Sequence, residues 1–335
     1  MIKKLFKRIC ANKLKRLQYR SGLFAASNKT VRTGYNVAWI RDNIYEALGL
    51  EQVKDIEAVK RTYAALFDVF LKYEWKIELA LKNKPQFDFE YIHARYDPES
   101  LSEFKEPWGN KQNDAIGAFL FKVGDLFKQG IRVFRNDDDV RILQKLVYYL
   151  ASIEYWQDPD NGIWENEEEL HASSIGACVA GLKAISPIVF VPPVMVEYGE
   201  KALSVLLPKE SASRDVDLAL LSLIFPFNIV NESQKSQILW NVEKNLVRDK
   251  GVVRYFGDSY YSNGREAEWC FGFPWLAKIY KDMGNLEKYR FYIDRTHAAM
   301  NGKFELPELY YADTNTHNEN SPLGWATAMY IIAVS

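Results

Sequence analysis

Apolar residues recur at helical spacing along most of the chain, and strand-like alternation is scarce. From Val53 to Lys82 the residues Ile56, Val59, Tyr63, Leu66, Val69 and Phe70 mark one face of a single long helix. The same pattern predicts a basic helix within residues 1–20. Further helices are predicted near Trp39–Leu50, Asp114–Gln129, Asp137–Tyr155, Ser173–Ile185, Pro193–Leu207, Arg214–Leu223, Glu232–Val247, Ala267–Met283, Leu286–Met300 and Leu323–Val334. Val252–Phe256 is the best strand candidate. About twelve helices, joined alternately by short and long connections and without strand–helix alternation, argue against a doubly wound α/β fold. They suit an all-α (α/α)6 toroid in a single domain, with six inner helices ringed by six outer ones. Its long loops would gather at one end of the inner ring, where function usually lives.

The charge balance narrows the function. A net charge of −1 gives no reason to expect a nucleic-acid or polyanion binder. Residues 1–20 hold eight Lys/Arg and no acid. Ile2, Leu5, Phe6 and Ile9 form no continuous apolar core there, so the stretch is not a secretory signal. The expectation is a helix packing on the domain with its basic face solvated, a membrane-surface helix being the other reading. No run is long enough to span a bilayer. Cys10, Cys178 and Cys270 are far apart and odd in number, which suits reduced thiols in a cytoplasmic protein.

The 9 Trp, 20 Tyr and 19 Phe exceed what a core alone invites and suit a sugar cleft, because pyranose C–H faces stack on aromatic rings. Each long loop pairs a large aromatic with a carboxylate, Arg or amide. The first ends Tyr35-Asn36-Val37-Ala38-Trp39-Ile40-Arg41-Asp42, and the second holds Trp108-Gly109-Asn110-Lys111-Gln112-Asn113-Asp114. The third carries Gly162-Ile163-Trp164-Glu165, where a ring beside a carboxyl disfavours its charged form and suits a proton donor. The fourth has Arg254-Tyr255, Asp258, Tyr260 and Tyr261. The fifth has Glu305, Pro307-Glu308 and, opening the last helix, Trp325.

In that order, these motifs resemble glycoside hydrolase family 15, the glucoamylases, glucodextranases and related trehalases. The likeness is greatest to the N-terminal domain of phosphorylase kinase alpha and beta subunits. It is carried by Gly22-Leu23-Phe24-Ala25-Ala26-Ser27, the stretch from Ala38 to Tyr45, Leu170-His171-Ala172-Ser173-Ser174, Leu206-Leu207-Pro208 with Val216-Asp217, and Glu266-Ala267-Glu268-Trp269. The resemblance implies a glucoamylase-like catalytic domain over 21–335, with no kinase regulatory tail.

It also implies an inverting, exo-acting α-glucoside hydrolase, with Glu165 as acid and Glu308 as base, their carboxyls about 6.5–9.5 Å apart to admit a water. By the same resemblance Tyr35 stands beside that water and Arg41 and Asp42 hold the terminal glucose. Arg254 adds a contact, Trp39, Trp108 and Trp164 form walls, and Trp325 packs near the base. The alternative is a non-catalytic glucan-binding or regulatory domain. Glu305 is the rival base, and Glu167, Glu168 and Glu169 read as a solvated face. Glu266 and Glu268 line the cleft or begin a helix, and His171 is a cap or packing residue. Neither cofactor nor metal is expected, there being no Asp-rich calcium loop. The expected partner is an α-glucan or oligosaccharide. The loops at 83–107 and 255–266 are short for the family, and linkage and oligomeric state stay open.

Overall fold

The computed structural model describes residues 2–106 and 108–335. In chain order its helices alternate between an outer and an inner position. Outer α1 (Ile2–Leu17) leads to inner α2 (Ile40–Glu51), then outer α3 (Ile56–Lys72) and α4 (Glu74–Lys82) to inner α5 (Asn113–Lys128). Outer α6 (Asp137–Ile153) precedes inner α7 (Ala172–Ile185), and outer α8 (Pro193–Leu206) precedes the short inner α9 (Leu221–Ile224). Outer α10 (Glu232–Asn245) leads to inner α11 (Gly272–Asp282), and outer α12 (Leu286–Ala298) to inner α13 (Gly324–Val334).

The inner helices touch in sequence, α2 to α5, α7, α9, α11 and α13, and α13 returns to α2. The ring is therefore closed, an (α/α)6 toroid. Inner helices are buried on nearly every side; α2 is buried from Ile40 through Leu50, polar Arg41, Asp42, Asn43 and Glu46 included, and α13 from Gly324 through Ala333. Amphipathic outer helices bury one face against them. Backbone contact between α5 and α7 depends on glycine, since a Cβ on Gly117 would lie 2.4 Å from the Ala177 carbonyl carbon. Helix α1 packs on α13 and α2, burying Leu14 and Leu17, while Lys13 pairs with Glu305 at 2.7 Å and Lys15 with Asp55 at 2.6 Å. Among the described residues no helix is long and apolar enough to cross a membrane.

Four expected elements differ. The single helix over Val53–Lys82 is two, broken at Tyr73, which leaves helical geometry with φ −108 and ψ 20. The Tyr73 hydroxyl takes the Glu103 amide N–H at 2.8 Å, and α4 turns to pack on α6. The helix over Arg214–Leu223 is a single 3-10 turn, Leu218–Leu220, running into α9, because Asp217 caps it late by accepting from the Ala219 N–H. The helix over Ala267–Met283 starts only at Gly272. Its first residues instead form a two-residue strand, β3 (Glu268–Trp269), antiparallel to β4 (Leu309–Tyr310), just as β1 (Ala38–Trp39) pairs with β2 (Arg95–Tyr96). Val252–Phe256 is no strand; Val252 makes one bridge to Trp269 and one to Val247.

All six inner helices are entered from long connections, residues 18–39, 83–112, 154–171, 207–220, 246–271 and 299–323. Those leaving them are short, such as 52–55 and 129–136. The N-termini of the inner ring, with their partial positive charge, therefore share one end with every long loop.

Candidate active site

A cavity of about 50 Å³ opens at that end, lined by Tyr35, Trp39, Arg41, Asp42, Trp164, Glu165, Arg254, Trp269 and Trp325, with Ile163 and Leu323. Eight of the ten residues singled out from sequence are thus brought together. Trp108 is not on this wall: it is 38% exposed, with the Arg95 guanidinium 4.1 Å from its ring centre. Glu308 is fully buried behind the wall, next to Tyr35.

Glu165 sits on a turn that fixes it tightly. Its φ of +61 lies in the left-handed region, uncommon for a residue with a Cβ. The turn is anchored by Trp164, whose Nε1 donates to Asp217 Oδ1 at 2.7 Å. Beneath it lies Gly109, where a Cβ would stand 2.9 Å from the Glu165 carbonyl oxygen. Glu165 Oε1 accepts from Trp39 Nε1 at 2.5 Å and from Gln112 Nε2 at 3.1 Å, with Arg41 Nη2 at 3.6 Å. Burial pushes the carboxyl above the ordinary glutamate range, against Arg41, Gln112, Trp39 and Arg95, which favour the charged form.

Arg41 and Asp42 follow Ile40 in the first turn of α2. Arg41 Nη1 donates to Gln112 Oε1 at 2.8 Å and pairs with Asp114 Oδ2 at 3.1 Å, so its orientation is set from α5. Asp42 is 8% exposed. Burial, ahead of the charges of Glu165, Glu308 and Asp114, pushes it up to about 7 despite Arg41.

Glu308 is held from its own loop. Its N–H donates to Asn320 O at 2.9 Å, and its carbonyl takes the Cys270 N–H at 3.0 Å. Its Oε2 accepts the side-chain amides of Asn318 at 2.5 Å and Asn320 at 2.8 Å. The Thr33 hydroxyl donates to Asn320 Oδ1, which orients that amide. Oε1 has no hydrogen bond of ordinary geometry among the described residues. Burial raises this carboxyl too, and the Tyr35 hydroxyl beside it opposes the rise most, followed by Asn320, Asn318 and Arg254. The Tyr260 hydroxyl donates to Tyr35 at 3.0 Å. An ionised carboxylate can only accept, so this order aims the single Tyr35 proton at Glu308.

Arg254 is clamped by Asp258 through two bonds of 2.6 Å, and its guanidinium lies 4.5 Å from the Trp269 ring centre. Trp325 stacks between Phe271 at 4.8 Å and Tyr45 at 4.6 Å. The Nε1 atoms of Trp269 and Trp325 and the Nε of Arg41 are buried donors with no partner among the described residues. Three such donors with the Asp42 carboxylate can complement the hydroxyls of a polyol. Trp269, Asn318 and Asn320 were not singled out from sequence. For Trp269 the usable signal was its place in a motif, Glu266 to Trp269; the two asparagines carry none.

The other candidates are occupied elsewhere. Glu305 pairs with Lys13 and takes Ser321 Oγ at 3.2 Å. Glu167 and Glu168 are exposed, Glu168 being 3.4 Å from Lys111. Glu266 accepts the Gly257 N–H, and Glu268 the N–H groups of Lys250 and Asp313, so both staple loops. His171 precedes α7, and its ring would stand 2.8 Å from a Cβ on Gly162. Burial lowers its basicity, but Glu210 and Asp160 outweigh this and bring it to about 9.

A family model described as "Glycosyl hydrolases family 15" matches residues 3–194. A Caenorhabditis elegans protein, "Probable phosphorylase b kinase regulatory subunit alpha", is 26% identical over 88% of this chain. The chain spans 30% of that relative's length. A wild-type glycosidase superposes with a TM-score of 0.85 at 20% identity, covering 98% of this chain and 95% of the other. A bacterial glucoamylase complexed with acarbose gives 0.73 at 16% identity, covering 98% and 54%. At such identities these two structures speak for the fold. The family model spans more than half the sequence, and the chain belongs to glycosyl hydrolases family 15.

Proposed function

We propose that the chain is an inverting, exo-acting α-glucoside hydrolase that releases glucose from the non-reducing end of an α-glucan or oligosaccharide. The observation that carries this reading is the pair of buried carboxyls, each with one oxygen saturated and one left for chemistry. Glu165 Oε1 already accepts from Trp39 and Gln112, so the transferable proton belongs on Oε2. Glu308 Oε2 already holds two amides, so Oε1 takes the proton from water. In the reaction Glu165 protonates the glycosidic oxygen as the bond to the anomeric carbon breaks. Water adds to that carbon from the opposite face and gives its proton to Glu308. Arg41 then stabilises the Glu165 carboxylate left behind. Arg41, Asp42 and Arg254 hold the terminal sugar between Trp39, Trp164 and Trp325, and Trp108 covers the approach from outside. On the far side of Glu165 a groove of about 650 Å³, bordered by Asn161, Asn166, Arg214 and Tyr255, has room for the leaving group. Three buried, free cysteines agree with work in the cytoplasm, and residues 21–335 act as one catalytic domain carrying α1 on its side.

A second reading, a non-catalytic glucan-binding or regulatory domain, is favoured by one observation. The cavity's 50 Å³ is small beside the roughly 300–1,000 Å³ of ligand pockets, so a sugar must displace wall residues to enter. The relative named a regulatory subunit points the same way. Incubation with maltose, isomaltose, trehalose and maltotetraose separates the two. Glucose appearing first as the β-anomer supports the hydrolase. An α-anomer contradicts the inverting mechanism. Absence of glucose from all four, with Glu165→Gln binding oligosaccharide no differently, would falsify the enzymatic reading.

A further inference from the structure

The connection that carries Glu165 begins with Glu154, Trp156 and Gln157, and these face Tyr198 and Lys201 of α8. Together they border a groove of about 560 Å³ on the outer wall of the ring, apart from the catalytic cavity. The Trp156 and Tyr198 ring centroids are 5.0 Å apart with planes at 48°, making a bent aromatic floor. That floor rests on the core: buried Tyr155 meets Trp156 edge-on at 5.4 Å and donates its hydroxyl to Met195 O at 2.8 Å. Tyr198 is 48% exposed. Its hydroxyl and the Lys201 ammonium have no hydrogen-bond partner among the described residues.

We propose that this groove is a second carbohydrate site, holding a stretch of neutral α-glucan beside the catalytic cleft. The chemistry selects that occupant. A bent aromatic surface takes the apolar C–H faces of successive sugar rings, and the amide, ammonium and hydroxyl heads at its rim meet their hydroxyls. An apolar partner leaves the Tyr198 hydroxyl and the Lys201 ammonium unpaired, and a polyanion finds Lys201 as the single cation on the lining among the described residues, Glu154 being paired with Lys84 at 3.3 Å. The site rests on the reading of the chain as an α-glucan-processing protein, and it adds a function to it. A polymer held on the connection that bears Glu165 is presented to the cleft at raised effective concentration.

Electrophoresis in native gels containing glycogen or amylopectin tests the proposal, run with the wild type, Tyr198→Ala, Lys201→Ala and the cleft variant Asp42→Ala. Retardation of the wild type and of Asp42→Ala, lost in Tyr198→Ala and weakened in Lys201→Ala, is the expected result. On glycogen, Tyr198→Ala should raise KM about a hundredfold, the low end of what tethering gives, and leave maltose hydrolysis unchanged. Retardation lost in Asp42→Ala but kept in Tyr198→Ala overturns the groove and leaves the hydrolase standing. No glucose from any substrate, with retardation that still depends on Tyr198, overturns the hydrolase and leaves the groove. Equal losses on maltose and glycogen in Tyr198→Ala, or a change in its solution mass in place of any glucan effect, also overturn the groove.

Discussion

Glu165 and Glu308 are both buried carboxyls, yet their surroundings are assembled in opposite ways. Glu165 is held by Trp39, Gln112 and Arg41, drawn from two other loops, and keeps 16% of its side chain exposed. Glu308 is fully buried and its side chain is held by Asn318 and Asn320 of its own loop, with the Tyr35 hydroxyl beside it from a distant loop. Glu165, the proposed acid, is surrounded by an indole, an amide and a cation, and Glu308, the proposed base, by neutral amides and a phenol. A cation beside Glu165 steadies the anion formed on donation. Neutral donors on one oxygen of Glu308 let it stay ionised without tying up the other. The two carboxyls can thus be tuned independently, because among the described residues they share no hydrogen-bond partner.

Four experiments bear on that contrast. The largest effect is expected from Glu165→Gln and Glu308→Gln. Each should lower kcat on the best α-glucoside about 10²–10⁴-fold with an unchanged circular dichroism spectrum; activity within tenfold of wild type in either variant sinks its assignment. Next, the two limbs of the pH–rate profile should move separately. Asn320→Ala removes a donor that lowers the Glu308 value, so the acid limb should rise by about one pH unit. Trp39→Phe removes a donor that lowers the Glu165 value, so the alkaline limb should rise by about one unit while the acid limb stays. Both limbs moving in one variant would show that the shells are coupled.

A smaller effect concerns stability. Asp42, Asp160 and Asp217 are each brought to about 7, chiefly by burial. Above the unfolded value of 3.8 the folded chain binds more protons than the unfolded one. Stability is therefore fully present at low pH on this account and is lost as pH rises through 7. Melting followed by calorimetry should show Tm falling between about pH 4 and 7 and levelling off above, and Asp42→Asn should flatten the curve by roughly 2–4 °C. A Tm that climbs over that range contradicts the burial of these acids. The smallest effect is that of Glu305→Gln, which should leave kcat within about twofold, since that carboxyl pairs with Lys13. A loss as deep as that of Glu308→Gln would transfer the role of base.

The ring of helices was legible because helical spacing is local: Ile56, Val59, Tyr63 and Leu66 announce their own face. The break at Tyr73 was not, because its cause, the Glu103 N–H and the packing of α4 on α6, is 30 residues away in sequence. Likewise Trp269 looks like a helix start until Leu309 pairs with it. Glu165 was visible beside Trp164 and Arg41 beside Asp42, as neighbours in sequence. Nothing in an asparagine betrays that its amide reaches a carboxylate, so Asn318 and Asn320 became apparent only once their loop was folded. Trp108 carried the right motif and stands outside the cavity, because Arg95 covers its ring.

Closure of the ring has a consequence for how the protein is made. Ser27 Oγ donates to Pro322 O at 3.0 Å across 295 residues, and the Gly324 N–H donates to Ala26 O at 2.8 Å. These contacts cannot form until the chain has left the ribosome as far as Gly324. Arg41 and Asp42, proposed to clamp the sugar, are synthesised well before Glu308 and α13. Contacts so distant in sequence slow folding and leave unfinished chains exposed to misassembly. A nascent chain that stops short of Glu308 therefore holds the proposed clamp without the proposed base, and it acquires that base together with the wall that α13 seals.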